Sequence, residues 1–233
     1  MRTTTMGIAA VAALGFSAVQ ASAATILIDD FNTDQYVSDP GVSNSSQLAD
    51  AAVLGGYREL AVTNIAPGSQ NATSFQTFGG DLKFSNDTGA TGIGTLTYDG
   101  AGAGLGDLSF GGDNAFIFFD VASFDNDANV DITVNGYDSD GTMVSFMENV
   151  AGGTFSPKLY YTEFTNNGGG DGIFNFADVA SLEFIVSTDG LSEDIDGALA
   201  SLSITSVPLP ASSLLLLAGL GGLGAMRRRK KAA

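Results

Sequence analysis

The stretch VDITVNGYDSDGTMVSFMENV, residues 130–150, decides the fold. Val130, Ile132 and Val134 alternate with Asp131, Thr133 and Asn135, the period-two pattern of a strand with one face buried and one wet. After the turn pair Asp140-Gly141 the alternation resumes and runs to Val150. Two such runs joined by Asp-Gly make a β-hairpin.

Outward from this hairpin, β-branched and aromatic runs recur along the chain, separated by clusters of Gly, Asn and Asp. They predict strands at 25–31, 59–65, 74–78, 81–85, 94–98, 115–121, 130–137, 142–148, 159–164, 181–187 and 199–205. Asn86-Asp87, Asp99-Gly100 and Asp113-Asn114 mark turns between them. Only 47–54 has helical spacing. No repeat of fixed period points to a solenoid or propeller. The fold class is therefore all-β, and many short strands in one domain over 24–206 predict a jelly-roll-like β-sandwich.

The flanks have a different character. Residues 1–23 read as a secretory signal peptide: Arg2 is the positive start, 7–19 the apolar segment, and Ala21-Ser22-Ala23 a small-residue cleavage site that leaves Ala24 first. No twin-Arg pair is present, so the general secretion machinery is the expected exporter. At the other end, 209–226 is uncharged, and its 18 residues would span about 27 Å as a helix. Arg227, Arg228, Arg229, Lys230 and Lys231 then form a stop-transfer cluster expected to stay cytoplasmic. The sandwich is thus expected outside, held transiently at the inner membrane by a single transmembrane helix.

Composition narrows the chemistry. All 26 acidic residues but only three of the nine cations, Arg58, Lys83 and Lys158, fall within 24–206, a net charge of −23. Such a body repels nucleic acid and anionic lipid and attracts cations. The chain has no Cys, so no disulfide staples it, and no His, so imidazole bases, His-based triads and His-ligated zinc are excluded.

Val207-Pro208-Leu209-Pro210-Ala211, the apolar Leu/Gly-rich stretch and the terminal cations, in that order, resemble the PEP-CTERM protein-sorting signal in its VPLPA variant. Leu209 stands where the commonest form has Glu. The resemblance makes 207–233 a removable sorting segment. It implies recognition and cutting by an exosortase-type membrane protease, and a link to exopolysaccharide matrices.

ILIDDF, GGYREL, LKFSND, GTLTYDG and DLSFGGDNAFIFFDV, with DNDANVDITVNGYDSDG, look like the β-sandwich cargo domains of such proteins. These in turn resemble galactose-binding-like carbohydrate-binding modules. The implied function is a non-enzymatic cell-surface or matrix-associated protein; the alternative is a carbohydrate-binding module or lectin with a defined glycan site.

Candidate binding residues are few. Asp125, Asp127, Asn129 and Asp131 place oxygen ligands at alternate positions, like the first half of a calcium loop, although Val130 stands where that loop needs Gly. Because the first and last strands of a jelly roll lie close together, Asp29 and Asp30 are expected near Asp196, where structural Ca²⁺ would be the cofactor. No other cofactor is implied. Arg58 has two readings: a carboxylate partner that pins its strand, or, with Tyr57, a donor to a glycan. No motif singles out a catalytic acid and base.

Overall fold

A computed structural model describes residues 23–41, 43–65, 71–112, 115–125, 129–151, 158–191 and 193–207. The predicted signal peptide up to Ser22, Pro208 to Ala211, the span 209–226, the cluster 227–231 and Asp127 lie outside the described residues.

The hairpin at 130–150 is present as β9 (Asn129–Asp138) and β10 (Met143–Ala151), antiparallel with Val130 opposite Val150, Val134 opposite Phe146 and Tyr137 opposite Met143. Val130, Val134, Val144 and Val150 are buried, whereas Met147 on the other face is 71% exposed. Gly141 closes the turn at φ 89°, a backbone state that a side chain would strain. Asp140 accepts from the Thr142 hydroxyl at 2.8 Å and from the Thr142 amide at 3.0 Å. These bonds, the hydroxyl's first, together with one to Asp138 and one from the Asp171 amide, draw the Asp140 carboxyl down to about 2.

The described residues form twelve further strands: β1 (Thr25–Asp29), β2 (Gln35–Asp39), β3 (Ser45–Ala49), β4 (Tyr57–Asn64), β5 (Thr73–Phe78), β6 (Asp81–Asn86), β7 (Gly92–Tyr98), β8 (Ala115–Phe124), β11 (Lys158–Tyr160), β12 (Thr165–Gly168), β13 (Val179–Ser187) and β14 (Asp196–Ser206). The first sheet runs β11-β8-β14-β6-β5-β2, with β1 also on β14; the second runs β12-β10-β9-β13-β7-β4-β3. All the pairings are antiparallel. The chain crosses between sheets at β2–β3, β4–β5, β6–β7, β7–β8, β8–β9, β10–β11, β11–β12 and β13–β14, so the two layers form a sandwich with jelly-roll-like connections.

Strict alternation builds the core between the layers. In β7, Leu96 and Tyr98 are fully buried while Thr95 and Thr97 are not; in β6, Leu82 and Phe84 point in. Phe184 of β13 reaches across, edge-on to Tyr98 and to Phe119, both at 6.0 Å between ring centroids. Beside it an apolar cavity of about 60 Å³ is lined by Phe84, Phe119, Ile132, Phe184 and Leu199, among others.

The two chain ends of the sandwich are stitched together. Thr25 lies opposite Thr205, the Ser206 amide donates to the Ala24 carbonyl, and the Ala24 amide donates to Ser206 Oγ, both at 2.8 Å.

Four segments depart from the sequence reading. The strand predicted at 159–164 ends at Tyr160 and gives way to a 3-10 turn at Tyr161–Glu163, closed by the Glu163 carboxylate accepting from the Tyr160 amide. The helical expectation at 47–54 is replaced by edge strand β3, with Leu48 opposite Arg58 and Ala49 opposite Tyr57, followed by a short 3-10 turn at Leu54–Gly56. Gly55 and Gly56, at φ 74° and 77°, prevent a helix from continuing, and pairing with β4 outweighs a weak local preference. Strands β2 and β12 carry too few β-branched residues to announce themselves; TNNG in β12 is held by its pairing with β10.

Candidate functional site

Arg58 sits in β4 between outward-facing Tyr57 and Glu59, so alternation turns it into the core, where it is fully buried. Every face of its guanidinium is met. Nε donates to Gln35 Oε1 at 2.8 Å, Nη1 to Asp29 Oδ1 and Oδ2 at 3.1 and 2.9 Å, and Nη2 to the Thr33 carbonyl at 2.6 Å and Thr77 Oγ1 at 3.0 Å. Asp29, also fully buried, accepts in addition from the Phe31 amide and the Tyr98 hydroxyl, both at 2.8 Å. Burial first, and then the charge of Asp29 and its bond, hold the Tyr98 phenol well above its usual range.

The network pins β1, β2, β4, β5 and β7 together. It also corrects the glycan reading of Arg58, because an enclosed guanidinium reaches nothing outside the protein. Tyr57, by contrast, is 36% exposed at the surface.

The acidic candidates are dispersed. β1 and β14 do pair, but Asp29 lies opposite Leu202, whereas Asp196 lies at the far end of β14 opposite Ser85. Asp29 is committed to Arg58, and the expected union of Asp29 with Asp196 does not form. Asp30 turns back on Asn32, accepting from its amide at 3.2 Å and its side chain at 2.7 Å. Asp125 and Asp196 are brought together: the Asp125 amide donates to the Asp196 carbonyl, and the Asp196 amide donates to Asp125 Oδ2 at 2.8 Å. Asp131 accepts from Asn149 across the hairpin at 2.8 Å, and Asn129 opens β9 opposite Ala151. Among the described residues no group of three or more acidic side chains is arranged to hold a metal ion, and no cofactor is indicated.

Sheet register assembles a different candidate that sequence reading missed. Across the outer face of the second sheet, Ser145, Asn135, Glu183, Thr97, Glu59 and Gln47 stand opposite one another in turn on β10, β9, β13, β7, β4 and β3. Asn135 donates to Glu183 Oε2 at 2.7 Å and is only 7% exposed although it faces outward. Tyr137 lies one row along, its phenol raised by burial and then by the charge of Glu183. The row offers amide, hydroxyl and carboxylate groups in a line, the chemistry that meets a polyhydroxylated ligand. Alternation was legible in each of these strands except β3; which strands would be neighbours was not.

Comparison with known proteins gives one family match. The model of the PEP-CTERM protein-sorting motif matches residues 206–230. No curated protein matches the sequence. Among solved structures, PfGH50B is similar at a TM-score of 0.41 and 12% identity, over 66% of this chain and 23% of that one. An agarase is similar at 0.41 and 12%, over 79% and 25%. The solution structure of CtCBM11 is similar at 0.42 and 13%, over 83% and 99%. The chain thus spans about a quarter of the length of the first two. It carries a PEP-CTERM protein-sorting motif, which implies export and sorting to the cell surface through an exosortase-type membrane enzyme.

Proposed function

We propose that the mature chain is a non-enzymatic cell-surface or matrix-associated protein, held transiently at the inner membrane, cut by an exosortase-type protease and retained in an exopolysaccharide matrix. The sorting motif at 206–230 carries this reading. It begins at Ser206, the last residue of β14, so the sorting segment follows the sandwich without a linker. The charge of −23 over 24–206 suits a soluble extracellular body, and a chain without His or Cys has neither an imidazole base nor a thiol nucleophile.

Intact mass tests the proposal. Protein recovered from the medium is expected to lack residues 1–23 and the apolar tail, while the membrane fraction holds a species that retains the tail. One uncut mass in both fractions would sink it.

A second reading, a carbohydrate-binding module or lectin with a defined site, is favoured by the polar row from Ser145 to Gln47. Under it, Tyr137→Ala weakens glycan-array binding at least ~10-fold, a loss of about 1.4 kcal/mol. Unchanged binding by that variant would remove the reading.

A further inference from the structure

We infer that the outer face of the first sheet, a surface separate from the polar row on the second, is a docking platform for a neutral polysaccharide. The inference rests on the matrix-associated reading above and names the partner and the face.

Register lays out the platform. Phe116 and Phe118 alternate along β8 with buried Ala115, Ile117 and Phe119, so both face outward. Tyr160 of β11 lies opposite Phe116, their rings 5.4 Å apart, and Lys158 lies opposite Phe118 with its Nζ 5.1 Å from the Phe116 centroid. On the other side of β8, Thr205 and Ser203 of β14 lie opposite Phe116 and Phe118. Thr25 and Leu27 of β1 continue the rows, with the Thr25 and Thr205 hydroxyls 3.2 Å apart. The result is two parallel rows across four strands, aromatic at one end and hydroxyl-bearing at the other. Farther across the same face, Tyr36 and Phe78 are 51% and 58% exposed, with Lys83 Nζ 5.4 Å from the Phe78 ring. Four of the eight exposed large apolar side chains among the described residues, Leu27, Tyr36, Phe78 and Tyr160, belong to this face. The contiguous part, Tyr160, Phe116, Phe118 and Leu27, is an apolar patch of the kind that marks interaction surfaces.

Charge selects the occupant. With Arg58 enclosed, Lys83 and Lys158 are the only cations of 24–206 on the surface, and both lie on this face. There they partly offset Asp81, 3.7 Å from Lys83, Asp120, opposite Ser201, and Glu163, whose carboxylate accepts from the Tyr160 amide at 2.7 Å, so the surface lysines of a body of −23 are gathered on this one face. A polyanion, an anionic membrane or a second copy of the chain would bring net negative charge against that body and be repelled. An uncharged chain meets no such barrier. Aromatic rings accept the C–H faces of pyranose rings, and the Thr, Ser and Lys groups supply hydrogen bonds to sugar hydroxyls. A purely apolar partner would leave those hydroxyl rows unsatisfied.

The test is affinity electrophoresis of the purified full chain and its variants, kept in a mild non-ionic detergent, through gels holding hydroxyethyl cellulose, xyloglucan, galactomannan, dextran or, as acidic probe, polygalacturonate. Retardation by at least one neutral glycan is expected, nearly independent of salt between 50 and 500 mM, a range in which a screened ionic contact would weaken. Tyr160→Ala is expected to weaken it at least ~10-fold and Tyr137→Ala to leave it unchanged. Retardation by none of the neutral glycans, stronger retardation by polygalacturonate, or loss in Tyr137→Ala with retention in Tyr160→Ala would each overturn the inference. Fractionation reports separately on sorting: a protein that binds neutral glycan but is never processed leaves this inference standing and removes the proposed function.

Discussion

Replacing Arg58 with alanine is expected to destabilise the sandwich by about 3–5 kcal/mol, the range for breaking a buried ion pair from one side. For a domain of this size that is on the order of 10 °C in melting temperature. The loss comes less from the attraction removed than from what stays behind. Asp29, fully buried, would keep only the Phe31 amide and Tyr98 hydroxyl as donors, and Gln35, Thr77 and the Thr33 carbonyl would each lose a bond. Arg58→Lys is expected to recover little, because an ammonium cannot present the planar fork that reaches Gln35, Asp29 and Thr33 at once. Arg58→Met with Asp29→Leu should recover a substantial part, since no uncompensated charge is left inside. Urea unfolding of the three variants decides the matter. An Arg58→Ala protein within about 1 kcal/mol of the parent would show that the network is not the pin described above.

Phe184→Ala is the second large effect, expected at about 3–5 kcal/mol. Its ring is 6% exposed, touches Tyr98 of the same sheet and Phe119 of the facing one, and already borders an apolar cavity of about 60 Å³. Truncation would enlarge existing empty space instead of opening a new site into which neighbours could collapse. Phe184→Leu should cost noticeably less. Calorimetry on the two variants measures the difference, and equal melting temperatures for Phe184→Ala and the parent would contradict the inter-sheet role.

The fold was legible where chemistry repeats at short range. The 130–150 hairpin, the Asp140-Gly141 turn and most strands follow from alternation, because one buried face forces a period of two on the residues. Strand β3 was missed because its pairing with β4 is settled by a partner, not by its own residues. The sites were less legible for a related reason. Arg58 could be recognised as a lone cation among acids, yet nothing local says which carboxylate it meets; Asp29 is 29 positions away and is brought there by a sheet-to-sheet crossing. The rows on the two outer faces arise from register between strands distant in sequence, such as Asn135 with Glu183 and Phe116 with Thr205. Asp29 and Asp196 were linked on the right topology but the wrong end of β14, an error of six residues along one strand.

The stitching of Ala24 to Ser206 carries a mechanical consequence. β14 is flanked by β8 on one edge and by β6 and β1 on the other, so any tension applied through Val207 loads a strand gripped on both sides. Its ladder bonds lie across the pull and must shear together instead of peeling one after another. A body tugged through that point by a flowing or swelling gel would resist far better than one fastened by an edge strand.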